Sequence, residues 1–181
     1  SSALNDCFSC DAIGPTLSTV VFSVAMRNPI NSLMAKTYKG VFKPKNPSKY
    51  RGDPTNIIYR SRWELFFMRY LDNEKGVLEW ASEELIIPYR SPIDGRVHRY
   101  FPDFWVKKIN RDGKTDTVVV EIKPFHETVE PTAQKKLTKK YLYEVKTWGV
   151  NSSKWKAANK YCEDRGWDFM ILTEKELGLK F

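Results

Sequence analysis

The sequence predicts an α/β fold, a mixed central sheet flanked by helices. Three observations carry this. An apolar stripe at helical spacing, Trp63, Phe66, Phe67, Tyr70 and Leu71, comes first. The strand-like runs "LEW", "LIIPY", "RYFPDFWVKK" and "DTVVVEIK" follow within residues 78–123. Two more helical patterns then lead to a last apolar run, "WDFMILT". The order reads helix, three strands, helix, helix, strand.

Each element has its own signal. Residues 36–60 are expected to be extended, punctuated by Pro44, Pro47 and Pro54. Ser61 is placed to cap the first helix, with Glu64 three residues on completing a capping box. "NRDG" supplies the turn between the last two strand runs of the middle cluster. Pro131 is expected to open the second helix, with Leu137, Tyr141, Val145 and Trp148 as its apolar stripe. A third helix is expected from Ser153 to Arg165, with Trp155, Ala158 and Cys162 inward and Gly166 ending it. "TEKE", Thr173–Glu176, is a capping box for a short terminal helix.

At 181 residues the chain holds one domain with a sizeable core. The 41% apolar fraction and six tryptophans exclude a disordered chain. The net charge is +8, which makes polyanions the natural partners. Three cysteines make no disulfide framework and point to a reducing, intracellular compartment. Cys7 and Cys10 form one C-x-x-C without the second pair that a zinc site needs. The apolar run "LSTVVFSVAM" falls short of the ~20 residues that span a bilayer. No membrane partner is expected.

Composition divides the chain into three. Residues 1–33 carry only Asp6, Asp11 and Arg27 as charges, and no role is assigned to them. Residues 34–60 read as a basic extended arm, and 61–181 as the main folded domain. Met34 suits either a natural start or an internal methionine.

The run from Arg99 to Pro124 places carboxylates inside strands that are otherwise apolar. A three-residue loop, Arg111, Asp112 and Gly113, would pair Asn110 with Lys114. That register sets Asp103 opposite Glu121, and Lys123 opposite Phe101. Their Cβ atoms would then lie about 4.5–5.5 Å apart, where like charges destabilise. A hard divalent cation such as Mg²⁺ offsets them, and Lys123 faces the same place. Pro102 agrees, because it cannot donate to a ladder and so marks an edge or a bulge. The competing arrangement is a surface cluster of these acids with Lys123 and Arg99.

"FPDFWV" followed by "VVVEIKP" resembles the P-D…(D/E)-x-K signature of the restriction-endonuclease-like nucleases, and the element order resembles their αβββαβ core. The resemblance runs from about Tyr59 to Leu177. It implies a metal-dependent nuclease in which Asp103 and Glu121 bind Mg²⁺, with Mn²⁺ as a substitute. It further implies that Ile122 lends a backbone carbonyl, that Lys123 positions water, and that Glu64 in "SRWELFF" joins the site. The tail, "KWKAANKYCEDRGWDFMILTEKEL", is similar to the DNA-cutting subunit of a bacterial transposon and, more closely, to phage head completion nucleases. So does "YKGVFKPKNPSKYRGDPTNIIYRSRWE" resemble the start of the phage proteins. That implies action on packaged double-stranded DNA, phage head or portal proteins as partners, and a place in the host cytoplasm during assembly or in the virion.

Two basic flanks fit such a substrate. Residues 39–62 hold seven Lys or Arg against Asp53, and 131–160 hold eight lysines against Glu144. Lys43, Lys45, Lys49, Arg51, Arg60 and Arg62 of the first, and Lys135, Lys136 and Lys139 of the second, are the expected backbone contacts. His98 and His126 lack metal-ligand spacing and are assigned nothing. A structural DNA-binding protein with a vestigial site, and a junction-resolving or repair endonuclease on the same fold, are the alternatives.

Overall fold

The computed structural model describes residues 38–178. Residues 1–33, with the Cys7–Cys10 pair, and Met34 lie outside them. The elements are β1 (Gly40–Phe42), β2 (Ile57–Tyr59), α1 (Arg62–Asn73), β3 (Val77–Ser82), β4 (Ile87–Arg90), β5 (Val97–Tyr100), β6 (Phe104–Ile109), β7 (Thr115–Ile122), α2 (Lys139–Glu163) and β8 (Asp168–Leu172).

The central sheet has the order β3-β6-β7-β8. Its first two pairings are antiparallel, and β7–β8 is parallel, so the sheet is mixed. Parallel pairing requires a crossover, and α2 supplies it. Phe104, Val106, Val118 and Val120 pack with Phe67, Met68 and Leu71 of α1. Alternation turns Trp105 and Val119 to the other face, where they meet Ala81 of β3 and Cys162 of α2. Asp103 and Glu121 share the parity of Trp105 and Val119.

α1 begins as expected. Ser61 is extended, and its Oγ accepts from Glu64 N at 3.1 Å. Its buried stripe is rotated from the expected one: Leu65 and Met68 are buried, and Phe66 is only half-buried. The cause is a second covering layer. Phe42, Tyr50 and Ile57 enter the same core from the segment before the helix.

The expected strand 99–108 is in fact two. β5 ends at Tyr100 and pairs only with β4, while β6 starts at Phe104 in the main sheet. Pro102, which lacks an N–H, stands in the break. The turn after β6 is the three-residue loop: Asn110 N donates to Lys114 O at 2.8 Å, and Gly113 has φ +76°.

The two helices expected after Pro131 are one. α2 starts at Lys139, where Thr138 Oγ1 accepts from Tyr141 N at 3.1 Å, and runs through Gly149 without a break. An interior glycine costs about 1 kcal/mol, too little to split a helix anchored by buried Asn151, Trp155, Ala158 and Cys162. The expected stripe of the first half is not buried: Leu137, which precedes α2, and Val145 are exposed, and Tyr141 and Trp148 are half-buried. Gly166, φ +65°, ends the helix region as expected. Thr173 and Glu176 make their capping bond, Thr173 N to Glu176 Oε2 at 2.7 Å, but residues 174–178 form turns rather than a helix.

Candidate active site

The β6–β7 register pairs Phe104 with Val120 and Ile109 with Thr115. One step further it sets Asp103 opposite Glu121, as the loop length required. Asp103 Oδ2 accepts from Ile122 N at 2.7 Å, which ties the first acid to the strand of the second. Glu121 is buried at 4% exposure. Its Oε2 accepts from Tyr100 Oη at 2.6 Å, and its Oε1 lies 3.2 Å from Lys123 Nζ. Lys123 is held from behind, because its N–H donates to Leu172 O at 3.0 Å and prolongs the β7–β8 ladder.

Burial, and after it the Glu121 charge, pushes the Asp103 carboxyl well above the usual carboxylate range. Lys123 and the Ile122 N–H pull the other way without cancelling this. Burial works against the Lys123 ammonium, yet Glu121 and Asp103 outweigh it and hold its pKa above the ordinary value. Burial, with Glu121 beside it, also raises Tyr100, so the phenol stays a donor.

Glu64 stands at the edge of this group. Asp103 senses its charge, but its Oε2 accepts from Arg60 N at 2.7 Å, the work of a capping residue. Among the described residues no three His, Cys, Asp or Glu side chains converge to hold a metal. The Arg60 guanidinium pairs with Glu83. Glu83 has φ +56°, uncommon for a side-chain-bearing residue, and its N–H donates to Asp103 O at 3.2 Å. Sequence reasoning missed Glu83, which no residue pattern marks. It also missed Tyr100, whose place one turn of chain before "PD" was a usable signal once Pro102 was read as a break.

The expected DNA contacts are spread over the surface. Lys43, Lys45, Arg51, Arg60 and Arg62 are exposed, as are Lys135, Lys136 and Lys139. Lys49 is engaged elsewhere: its Nζ donates to Asp72 O at 3.2 Å and Glu74 O at 2.7 Å, closing the end of α1. Arg51 lies over Trp105, 4.9 Å from the ring centroid.

Residues 74–174 match the TnsA-like endonuclease N-terminal family. The head completion nuclease of Enterobacteria phage T4 is 45% identical over 150 residues, 79% of this chain and 97% of that protein. This chain belongs to the TnsA-like endonuclease family. Its mixed sheet between two helices is the restriction-endonuclease-like architecture, and membership makes it a nuclease that hydrolyses DNA. No helix among the described residues is long and apolar enough to cross a membrane.

The TnsA-like endonuclease fold implies a divalent metal ion, and the residues fit one. Two carboxylates on one side of a hairpin offer the oxygen donors that a hard cation takes. Burial first, and the Glu121 charge after it, disfavour the Asp103 carboxylate, and Lys123 does not cancel this, so a cation here has charge to offset. Tyr100 fixes the orientation of Glu121, so Tyr100→Phe should weaken metal binding about 10- to 100-fold with the fold kept. Titrating Mn²⁺ against melting temperature measures this; an unchanged midpoint rejects it.

Proposed function

We propose that this endonuclease is Mg²⁺-dependent, with Mn²⁺ able to substitute, and that it processes packaged phage DNA during head completion. The observation that carries the site is the facing pair Asp103 and Glu121 with Lys123 Nζ at 3.2 Å from the second acid. The 45% identity to a head completion nuclease supports the biological setting. Phage head or portal proteins would be its neighbours, in the host cytoplasm during assembly and then in the virion.

Asp103, Glu121 and the Ile122 carbonyl would hold the ion, and Glu64 adds to the negative field at their edge. When bound, such an ion polarises the phosphodiester, lowers the pKa of water and stabilises the leaving oxygen. Lys123 remains an ammonium at neutral pH, so its part is to donate: it holds a water or a phosphoryl oxygen rather than taking a proton. Tyr100 keeps Glu121 Oε2 occupied and the carboxylate fixed. The exposed lysines and arginines of both flanks grip the DNA backbone in a salt-dependent, sequence-independent way.

Plasmid and linear duplex DNA incubated with Mg²⁺, with Mn²⁺ and with chelator test this. Cutting is expected with either metal and not with chelator. Lys123→Ala should lose about 100-fold or more of the rate while remaining folded at the assay temperature. Cutting by Lys123→Ala at the parental rate removes the assigned site.

A further inference from the structure

Between α1 and the β1–β2 hairpin lies a groove of about 540 Å³, of the size that ligand sites have. Its wall is aromatic. Tyr38 and Tyr59 stack with ring centroids 5.5 Å apart. Gly40 makes that wall possible, because a Cβ there would collide with Tyr59 Oη. Tyr38 and Val41 are 42% and 53% exposed, so the wall is accessible. The rim is cationic, with Lys43, Lys45 and Arg69. The acid that lines the groove, Asp72, is 1% exposed, and its oxygens accept from Lys45 N at 2.7 Å and Asn46 N at 3.0 Å. Its charge is therefore consumed by the hairpin backbone.

Two arginines link the groove's residues to the catalytic group. Arg60 follows Tyr59 directly, and Asp103 acts electrostatically on its guanidinium. Arg62, whose guanidinium lies 5.3 Å from the Tyr38 ring centroid, is two residues from Glu64. Leu65, Arg69 and Asp72 continue the same stripe of α1 towards the far end.

We propose that this groove holds an unpaired DNA strand, and that the preferred substrate is duplex DNA carrying a single-stranded end beside the cut. The inference rests on the nuclease reading above. Aromatic walls favour bases whose faces are free, and a duplex keeps those faces stacked. Lysines along the rim match the phosphates of such a strand.

Metal-free binding separates this from catalysis. Fluorescence anisotropy in chelator would compare a blunt duplex, the same duplex with an oligo-dT tail, and oligo-dT alone. The tailed duplex should bind at least about fivefold tighter than the blunt one, the lower bound for one stacked base. Tyr38→Ala should abolish that advantage and leave blunt binding within about twofold. Lys43→Glu, on an exposed side chain, should weaken tailed binding more than blunt without touching the fold. Equal affinity for tailed and blunt DNA overturns the proposal, as does equal loss for both in the variants. Competition by oligo-glutamate but not by oligo-dT would assign the groove to an acidic peptide instead. Failure of any of these leaves metal-dependent cutting and its loss in Lys123→Ala unaffected, whereas failure of the nuclease reading would abolish cutting itself.

Discussion

Asp103→Asn is expected to give a protein that no longer cuts DNA and is more stable than its parent without metal. Asn keeps an oxygen for the Ile122 N–H, so the 2.7 Å tie between the strands survives. What it loses is a charge that the fold disfavours: burial and Glu121 hold the Asp103 carboxyl above its ordinary range. Between the ordinary pKa and the raised folded one, the native state binds more protons than the unfolded state, so stability falls as pH rises. Above the folded pKa the penalty is complete. Asn removes it, so the variant should melt higher at neutral pH and lose that part of the pH slope. Activity should fall by more than the 10- to 100-fold that an outer partner of a metal ligand costs. Added Mg²⁺ should raise the melting temperature of the parent and leave the variant unmoved. Thermal melts from pH 4 to 8, with and without metal, check all three; a variant less stable than its parent at pH 7 contradicts the charge argument.

Trp80→Ala carries the largest expected stability loss. Trp80 is fully buried and packs edge-on against Tyr50 at 4.8 Å and Phe42 at 5.9 Å, with Phe104 behind it. Its carbonyl accepts from Arg51 N at 2.8 Å. Trp80 is thus a main point at which the segment before α1 packs on the sheet. Truncation should cost about 3–5 kcal/mol, on the order of 10 °C in melting temperature for a chain of this size. Amide exchange should rise first across residues 42–51, ahead of the sheet. The indole N–H has no acceptor among the described residues, so Trp80→Phe should recover most of the loss. Denaturant titration with residue-resolved exchange decides it; uniform loosening of the molecule would contradict that role.

The facing acids were legible because parity is discrete. A three-residue loop with glycine in the left-handed position admits one register, and slipping by one would have turned every side chain over. The proline in "FPD" was legible as an interruption, though not as the boundary between two sheets. The single long α2 was not legible: Gly149 weakens a helix locally, and the burial of Trp155, Ala158 and Cys162 carries the helix through it. The first turns misled for the opposite reason, since Leu137 and Val145 have the spacing of a buried stripe yet stay exposed, Leu137 before the helix even starts. Capping gave α1 its start but left the role of Glu64 open, because one carboxylate serves either purpose and the structure spends it on Arg60 N. Glu83 depends on a backbone turn that composition does not encode.

The side chains proposed as the cutting centre, from Tyr100 to Lys123, lie within one short excursion of the chain, whereas the cationic flanks come from segments on either side of it. Blade and handle are therefore separate parts. Insertions or exchanges in the flanks can redirect the enzyme to other forms of DNA while the blade stays as it is, which makes this scaffold a practical starting point for nucleases of altered reach.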